Sequence, residues 1–566
     1  MNISKEKREK LLNYLEKLKE GKEDEDIRII SEIEKALNEK KYGLVWEEHS
    51  EKVDEELKTN IPVFKEVKER KIEKDKEKAY NFLLEGDNLH SLRLLEKTHK
   101  GKIDVIYIDP PYNTGNKDFI YNDQYVDKTD GYSHSKWLSF MEKRLRIAKE
   151  LLTEEGVIFI SIDDNEQAQL KLLCDEIFGE EKYLATITVE TSLGIFGPKA
   201  KHVRKSIVKN KDYLLSYAMN KDFIDLNPLY TKSKTLFDTH FTWYKDEDKE
   251  MSLVEFLKSN NVIKDAASKL NLSINISNLD RLMEVFPEVN KIIMENAENI
   301  YRIRDYTLNI PSKYSNDIEM GKKVKINDVY VYKENDKYLY LHPWAKLINK
   351  TEDYKSEVVS SVIVGDLWKG FNDDMGNVGK EGGVKFSNGK KPIRLIKNIL
   401  KLINNKQAAT LDFFAGSGTT GHAVVQLNKE DGGNRKYILC TNNENNICED
   451  VTYKRLCNIQ EELPHNLKYY KVGYVSKSDE EVYEKLNEHI QEMVNLEEGK
   501  EVKVIYDEEE VEKVLEESSC DSSVYIMGGI MLSGKEQKIV EKKRIKIKEV
   551  PEIYYRNELK ELGEIW

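Results

Sequence analysis

Two strand ends constrain this chain more than anything else in it. Ile103-Asp104-Val105-Ile106-Tyr107-Ile108 is a β-branched run that stops directly on Asp109-Pro110-Pro111-Tyr112. About three hundred residues later, Leu411-Asp412-Phe413-Phe414 runs into Ala415-Gly416-Ser417-Gly418-Thr419-Thr420, the pattern of a strand, a glycine-rich turn and a helix start. Near-continuous apolar strands belong to parallel sheets covered on both faces. Such sheets bind ligands beyond the carboxyl ends of their strands, which is where both motifs fall.

A strand and helix rhythm surrounds each motif. Asn81 to Leu84 reads as a short strand, and Asp87 to Leu95 opens a helix. Leu138, Met141, Leu145, Ala148 and Leu152 recur at helical steps until Gly156, and Val157 to Ile162 is another buried-strand run. From about residue 185 to 385 the rhythm is lost in polar, irregular sequence. It returns with Lys391 to Leu402 as a helix, Thr410 to Phe413 as a strand, Thr419 to Leu427 as a helix and Lys436 to Thr441 as a strand.

The fold class is therefore α/β, a doubly wound, mainly parallel, Rossmann-like sheet interrupted by an insert. The expected boundaries are a helical region over 1–76, one half of the sheet domain over 77–220, the insert over 221–385, the second half over 386–470 and an α+β tail over 471–566. The first region carries Leu11, Leu12, Tyr14, Leu15 and Leu18 at helical spacing. That stripe fits a docking or oligomerisation helix and equally a solvated helical extension.

Asp109 to Tyr112 suit a planar amino group. A carboxylate and a neighbouring backbone carbonyl can accept both N–H bonds of one NH2, drawing its lone pair out of conjugation. Pro110 and Pro111 have fixed φ and no N–H, so they hold the Pro110 carbonyl rigidly without adding competing donors. Tyr112 offers a flat face on which a base can stack.

The glycine turn suits an anionic group on a helix N-terminus. Several cofactors use such a turn. Gly416, Gly418 and Gly421 satisfy GxGxxG, so a nicotinamide dinucleotide stays open on this motif alone. A triphosphate loop is disfavoured, because His422 and Ala423 stand where Lys and Ser or Thr would be needed. Glu444, after the next strand, sits where an acid would hold ribose hydroxyls, or is a solvated loop acid. Asp87 could accept from an adenine amino group or cap its own helix.

Composition limits the alternatives. Five cysteines in 566 residues make no disulfide framework, and Cys440, Cys448 and Cys457 are too far apart for a metal knuckle, so no metal and a reducing cytoplasmic setting are expected. No apolar run approaches the length of a membrane span, and Met1 to Lys10 is too polar for a signal peptide. The net charge of −13 runs against a nucleic-acid binder as a whole, but a local patch is what matters. Lys199, Lys201, Arg204 and Lys205 form such a stretch between the two motifs. A second lies over Lys535 to Lys548, and either is also an ordinary solvated face.

Taken together, Ile106 to Gly115, Leu411 to Gly421 and Asp431-Gly432-Gly433-Asn434-Arg435-Lys436 resemble the amino-methyltransferases of DNA, in particular the permuted β group. They are most similar to modification subunits of type III restriction-modification systems. The resemblance covers roughly residues 80–185 and 385–470.

It implies a permuted methyltransferase fold that takes S-adenosylmethionine. Asp109, Pro110, Pro111 and Tyr112 would be catalytic. Asp87, Asp109, Lys391, Asp412, Phe414, Gly416, Ser417, Gly418, Thr419 and Glu444 would face the cofactor, Lys391-Pro392 near its methionine end. The insert would be a target-recognition domain on double-stranded DNA, with Lys199, Lys201, Arg204 and Lys205 at phosphates.

The Asp in first position favours N6 of a flipped adenine over N4 of cytosine. The absence of a Pro-Cys dipeptide sets aside a covalent C5 mechanism. A separate helicase-nuclease restriction subunit and a homodimer are implied as partners. A cytosine-N4 or RNA amino-methyltransferase, and a catalytically idle DNA-specificity subunit, remain as alternatives.

Overall fold

The computed structural model describes residues 12, 14–19, 26–31 and 33, then 46–563 apart from 48, 116–118, 122–123, 128, 194–206, 306–309, 311, 321, 327–328, 335–336 and 387–388. Its centre is a ten-stranded sheet. In chain order the strands are β1 (Asn60–Glu66), β2 (Tyr80–Glu85), β3 (Ile103–Ile108), β4 (Leu152–Ile162), β5 (Tyr183–Glu190), β6 (Lys211–Ala218), β7 (Leu367–Trp368), β8 (Ala409–Asp412), β9 (Lys436–Thr441) and β10 (Asn466–Ser476).

They lie side by side as β1-β10-β2-β9-β8-β3-β4-β6-β5-β7. The six strands from β10 to β4 are mutually parallel. β6 runs antiparallel beside β4 and β5, and β1 is antiparallel on β10. So β8 and β9, from the far side of the insert, slot between β2 and β3. Leu411 pairs with Ile106 across that seam.

The sheet is buried on both faces because its central strands are apolar at most positions. Ile106, Ile108, Ile158 and Ile160 point into one core. It is covered by α2 (Asn88–His99), α3 (Ser133–Leu151) and α4 (Gln167–Phe178). The alternate residues Val105, Tyr107, Val157 and Phe159 point into a second core, covered by α5 (Ile393–Leu402) and α6 (Thr419–Asp431). This is the helix-sheet-helix layering expected for doubly wound parallel sheets.

Several sequence expectations change. The region over 1–76 is not helical throughout. Residues 14–18 and 26–31 are helical, and a short helix, α1 (Lys52–Thr59), leads into β1, an edge strand of the main sheet. The helix before β4 ends at Leu151. Gly156 lies inside β4, next to the register shift that moves the β3 pairing from Ile103↔Leu152 to Val105↔Val157.

The insert holds a six-stranded antiparallel sheet and four helices between Leu253 and Glu295 around Leu257, Ile263, Leu282, Val289 and Trp344. The chain rejoins the main sheet at β7, before the expected boundary at 385. β10 spans the boundary at 470. The tail then forms a small three-stranded parallel sheet of Lys503–Ile505, Ser523–Ile526 and Lys546–Glu549. Among the described residues no helix is long and apolar enough to cross a membrane.

Candidate active site

At the seam between β8 and β3 the chain leaves in opposite directions, through α6 to β9 on one side and through α3 to β4 on the other. That reversal opens a crevice at the carboxyl ends of the two strands. A cavity of about 860 Å³ lies there. It is lined by Asp109, Pro110, Pro111 and Tyr112 from the end of β3 and by Asp412, Phe414, Gly416, Ser417 and Thr419 from the end of β8. Asp87, Lys391 and Glu444 complete the expected set. Twelve of the thirteen residues proposed from sequence as catalytic or cofactor-facing thus share one cavity. The thirteenth, Gly418, serves the turn.

The glycine turn has the local conformation its residues demand. Gly416 and Gly418 have φ of 49° and 72°, the left-handed region that non-glycine side chains resist. A Cβ on Gly418 would also sit 3.0 Å from Thr452 Cγ2. Thr452 Oγ1 donates to the Gly416 carbonyl at 2.5 Å, and the buried Arg455 donates to Thr419 Oγ1 at 2.8 Å.

Asp412 shapes this turn from within. Its Oδ1 accepts from the Phe414 N–H at 3.0 Å and its Oδ2 from Thr420 Oγ1 at 2.5 Å. Burial, reinforced by the nearby Asp109 charge, pushes its carboxyl up to about 7. Both oxygens accept within the protein, so Asp412 holds the loop while it lines the cavity.

On the other strand, Trp137 Nε1 donates to the Pro111 carbonyl at 2.7 Å, fixing the Pro-Pro turn against α3. Asn113 follows with φ of 56°, and its side-chain amide donates to Glu166 Oε1 at 2.6 Å. Glu166 is fully buried and also meets His134 Nδ1 at 2.6 Å. Asp109 keeps about 18% of its side chain exposed to the cavity. Burial raises its carboxyl above the ordinary range, opposed first by the Lys391 ammonium.

Lys391 lies on the Asp109 side of the cavity. Its Nζ is 3.1 Å from Asp109 Oδ1, donates to the Tyr112 hydroxyl at 2.7 Å and stands 4.8 Å from the centre of the Tyr112 ring, beyond its hydroxyl edge.

Asp87 caps α2 through the Leu89 N–H at 2.7 Å while still lining the cavity, so its capping role is realised. Lys199, Lys201, Arg204 and Lys205 lie outside the described residues. Sequence reasoning missed Glu51, Lys52, Val53 and Glu56, which bring the N-terminal region into the cavity wall, and Phe119, Phe140 and Phe386, which line it with rings. It also missed Arg144, buried beneath, which donates to Asn88 Oδ1 at 2.5 Å and to Glu51 Oε1 at 2.9 Å. No local motif marks any of these. A buried Arg at helical spacing among apolar residues was the available signal for Arg144 alone.

Comparison with known proteins agrees with this geometry. Residues 103–265 and 244–454 match the family described as DNA methylase, and the chain belongs to that family. It is 31% identical over 393 residues to the probable type III restriction-modification enzyme HindVI Mod subunit of Haemophilus influenzae, covering 62% of this chain and 48% of that one. It is 31% identical over 464 residues to the EcoPI Mod subunit of Escherichia phage P1, covering 74% and 66%. The type II methyltransferase M.KpnI of Klebsiella pneumoniae is 29% identical over 408 residues, covering 69% and 90%. The chain thus spans about half to two thirds of the length of these two Mod subunits.

Proposed function

We propose that this protein is a site-specific DNA methyltransferase that moves a methyl group from S-adenosylmethionine to N6 of an adenine flipped out of duplex DNA. In this reading it is the modification and recognition subunit of a restriction-modification system. A separate restriction subunit and a second copy of the chain are its expected partners. The observation that carries the reading is the seam itself: the amine-accepting turn and the glycine turn open into the same cavity from adjacent parallel strands.

The residues fit the cofactor. Gly416 is a left-handed turn residue with open space where its Cβ would be, met only by the Phe414 carbonyl at 3.8 Å, so the backbone there is free to approach a ligand closely. Glu444 stands across the cavity after β9, suited to ribose hydroxyls. S-adenosylmethionine supplies, when bound, an electrophilic methyl on a sulfonium.

The chain does the rest. A base must leave the duplex to enter the cavity. Tyr112 supports it by stacking. The Asp109 carboxylate and the Pro110 carbonyl accept the two amine N–H bonds and turn the nitrogen lone pair outward. Asp109, whose proton affinity is raised by burial, then takes the proton that the alkylated amine sheds. Rate comes from alignment and from these fixed acceptors. The acidic first residue favours adenine.

Modification-sensitive sequencing of DNA from cells with and without the gene tests this. A methylated adenine in a fixed sequence, present only with the gene, is expected. Methyl on cytosine N4 would replace the base assignment, and no modified base would overturn the reading.

A further inference from the structure

The place where a target amine would bind is filled, in this structure, by the protein's own ammonium. Lys391 Nζ approaches Asp109 Oδ1 to 3.1 Å and donates to the Tyr112 hydroxyl, beyond the edge of that ring. Asp109 is the acceptor on which an exocyclic amine depends, and the ring is the surface on which its base would stack. An exocyclic amine and the Lys391 ammonium cannot both occupy the space against Asp109 Oδ1. Lys391 reaches this spot from the turn before α5, 282 positions from Asp109 in sequence, so no local preference of the chain puts it there.

Lys391 also has somewhere to go. Asp212, on β6, holds its Oδ2 at 3.9 Å from the same Nζ. Its other oxygen faces Lys209 at 3.4 Å, and Lys209 in turn pairs with Asp163 at 2.7 Å. The groups facing Lys391 are therefore Asp109, Asp212 and the Tyr112 hydroxyl, with Asp412 and the buried Tyr107 hydroxyl behind them. A small swing toward Asp212 keeps the ammonium paired while uncovering Asp109.

We propose that Lys391 is a stand-in for the target base: its ammonium occupies the amine-accepting position between Asp109 and Tyr112 until an extruded base displaces it toward Asp212. The inference rests on the methyltransferase reading above. Filling the site this way keeps a charged, largely desolvated carboxylate paired between turnovers, where a lone buried charge is unfavourable. It also makes base entry an exchange against a bound group, so that only a base held by the rest of the recognition surface is admitted. Lys391 then acts on the extrahelical equilibrium and not on the cofactor, although it comes from the segment that the sequence resemblance puts near the methionine end.

The test uses the full-length protein and its Lys391→Met variant, which keeps the aliphatic stem and removes the charge. The probe is a duplex carrying 2-aminopurine at the position shown by sequencing to be modified, with sinefungin in the cofactor site. The variant is expected to show at least a two-fold rise in 2-aminopurine fluorescence over the parent complex. Its circular dichroism and thermal unfolding report that it is folded, and calorimetric titration with S-adenosylmethionine reports any change at the cofactor site. Unchanged fluorescence overturns the inference, whatever happens to the cofactor. A tenfold loss of cofactor affinity with unchanged fluorescence would make Lys391 a cofactor ligand instead. A parent protein that methylates no DNA overturns the methyltransferase reading, a result distinct from any behaviour of the variant.

Discussion

The side-chain amide of Asn88 donates to the Phe413 backbone carbonyl at 2.8 Å, tying the start of α2 to the strand end that carries the glycine turn. The same Asn88 accepts from the buried Arg144 through its Oδ1. One side chain thus links the two halves of the sheet domain directly under the cavity. Asn88→Leu removes the donor to the Phe413 carbonyl and the acceptor of Arg144 Nε. Chemical denaturation should show a loss of about 1–3 kcal/mol, and calorimetry a weaker affinity for S-adenosylmethionine.

Asp109→Ala removes the side-chain acceptor for the amine without touching the glycine turn. Methyl transfer, followed with labelled S-adenosylmethionine, should fall by about 10²–10³-fold or more. Cofactor affinity should stay near the parent value. Transfer at the parent rate would remove Asp109 from the chemistry.

Asp412 gives the stability of the protein a pH dependence of known sign. Its carboxyl is pushed up to about 7 in the folded chain, against about 4 for an unfolded Asp. A group raised on folding stabilises the folded state fully below the unfolded value, and that contribution is lost as pH rises toward the folded value. Asp412→Asn keeps an oxygen for the Phe414 N–H and offers its amide to Thr420. It should flatten the pH dependence of unfolding between about pH 4 and pH 7. An unchanged slope in denaturation curves across that window would count against the assignment.

Glu166 supports the Pro-Pro turn from outside the cavity by holding Asn113 in its left-handed conformation. Glu166→Leu frees that residue and lets the turn drift. Misplacement of this kind is expected to slow methyl transfer by up to about 10²-fold, with cofactor affinity preserved. Equal rates in single-turnover assays would show that Trp137 alone fixes the turn.

The basic stretch at 199–205 enters as a proposal from sequence. If Lys201, Arg204 and Lys205 meet phosphates, neutralising all three should flatten the plot of log affinity against log salt by about 0.9 for each phosphate left without its cation. An unchanged slope in filter-binding titrations would return the stretch to solvent.

What the sequence revealed follows from physical locality. β3, β8 and β9 were legible because a strand buried on both faces is apolar at nearly every position, and each ends on a turn with its own chemistry. β1 was not, because Asn60–Glu66 follows a run of alternating charges and contains Pro62, which signals neither a helix nor a central strand. β7 is two residues long, below any periodicity. Within the site, Asp109 to Tyr112 and the glycine turn were readable as contiguous motifs. The contacts of Lys391 with Asp109, of Asn88 with Phe413 and of Arg144 with Glu51 join distant segments, and nothing in local composition announces them. The loop-holding bonds of Asp412 were not legible, because its position at a strand end is shared by residues that face a ligand and residues that hold the loop.

The long insert departs from the sheet after β6 and comes back at β7, strands that lie beyond β4 on the flank away from the β8–β3 seam. Its two splice points therefore touch neither the Pro-Pro turn nor the glycine turn. If the insert reads the DNA, as proposed, a lineage can exchange this cassette, and with it the word being read, while the chemical floor stays intact.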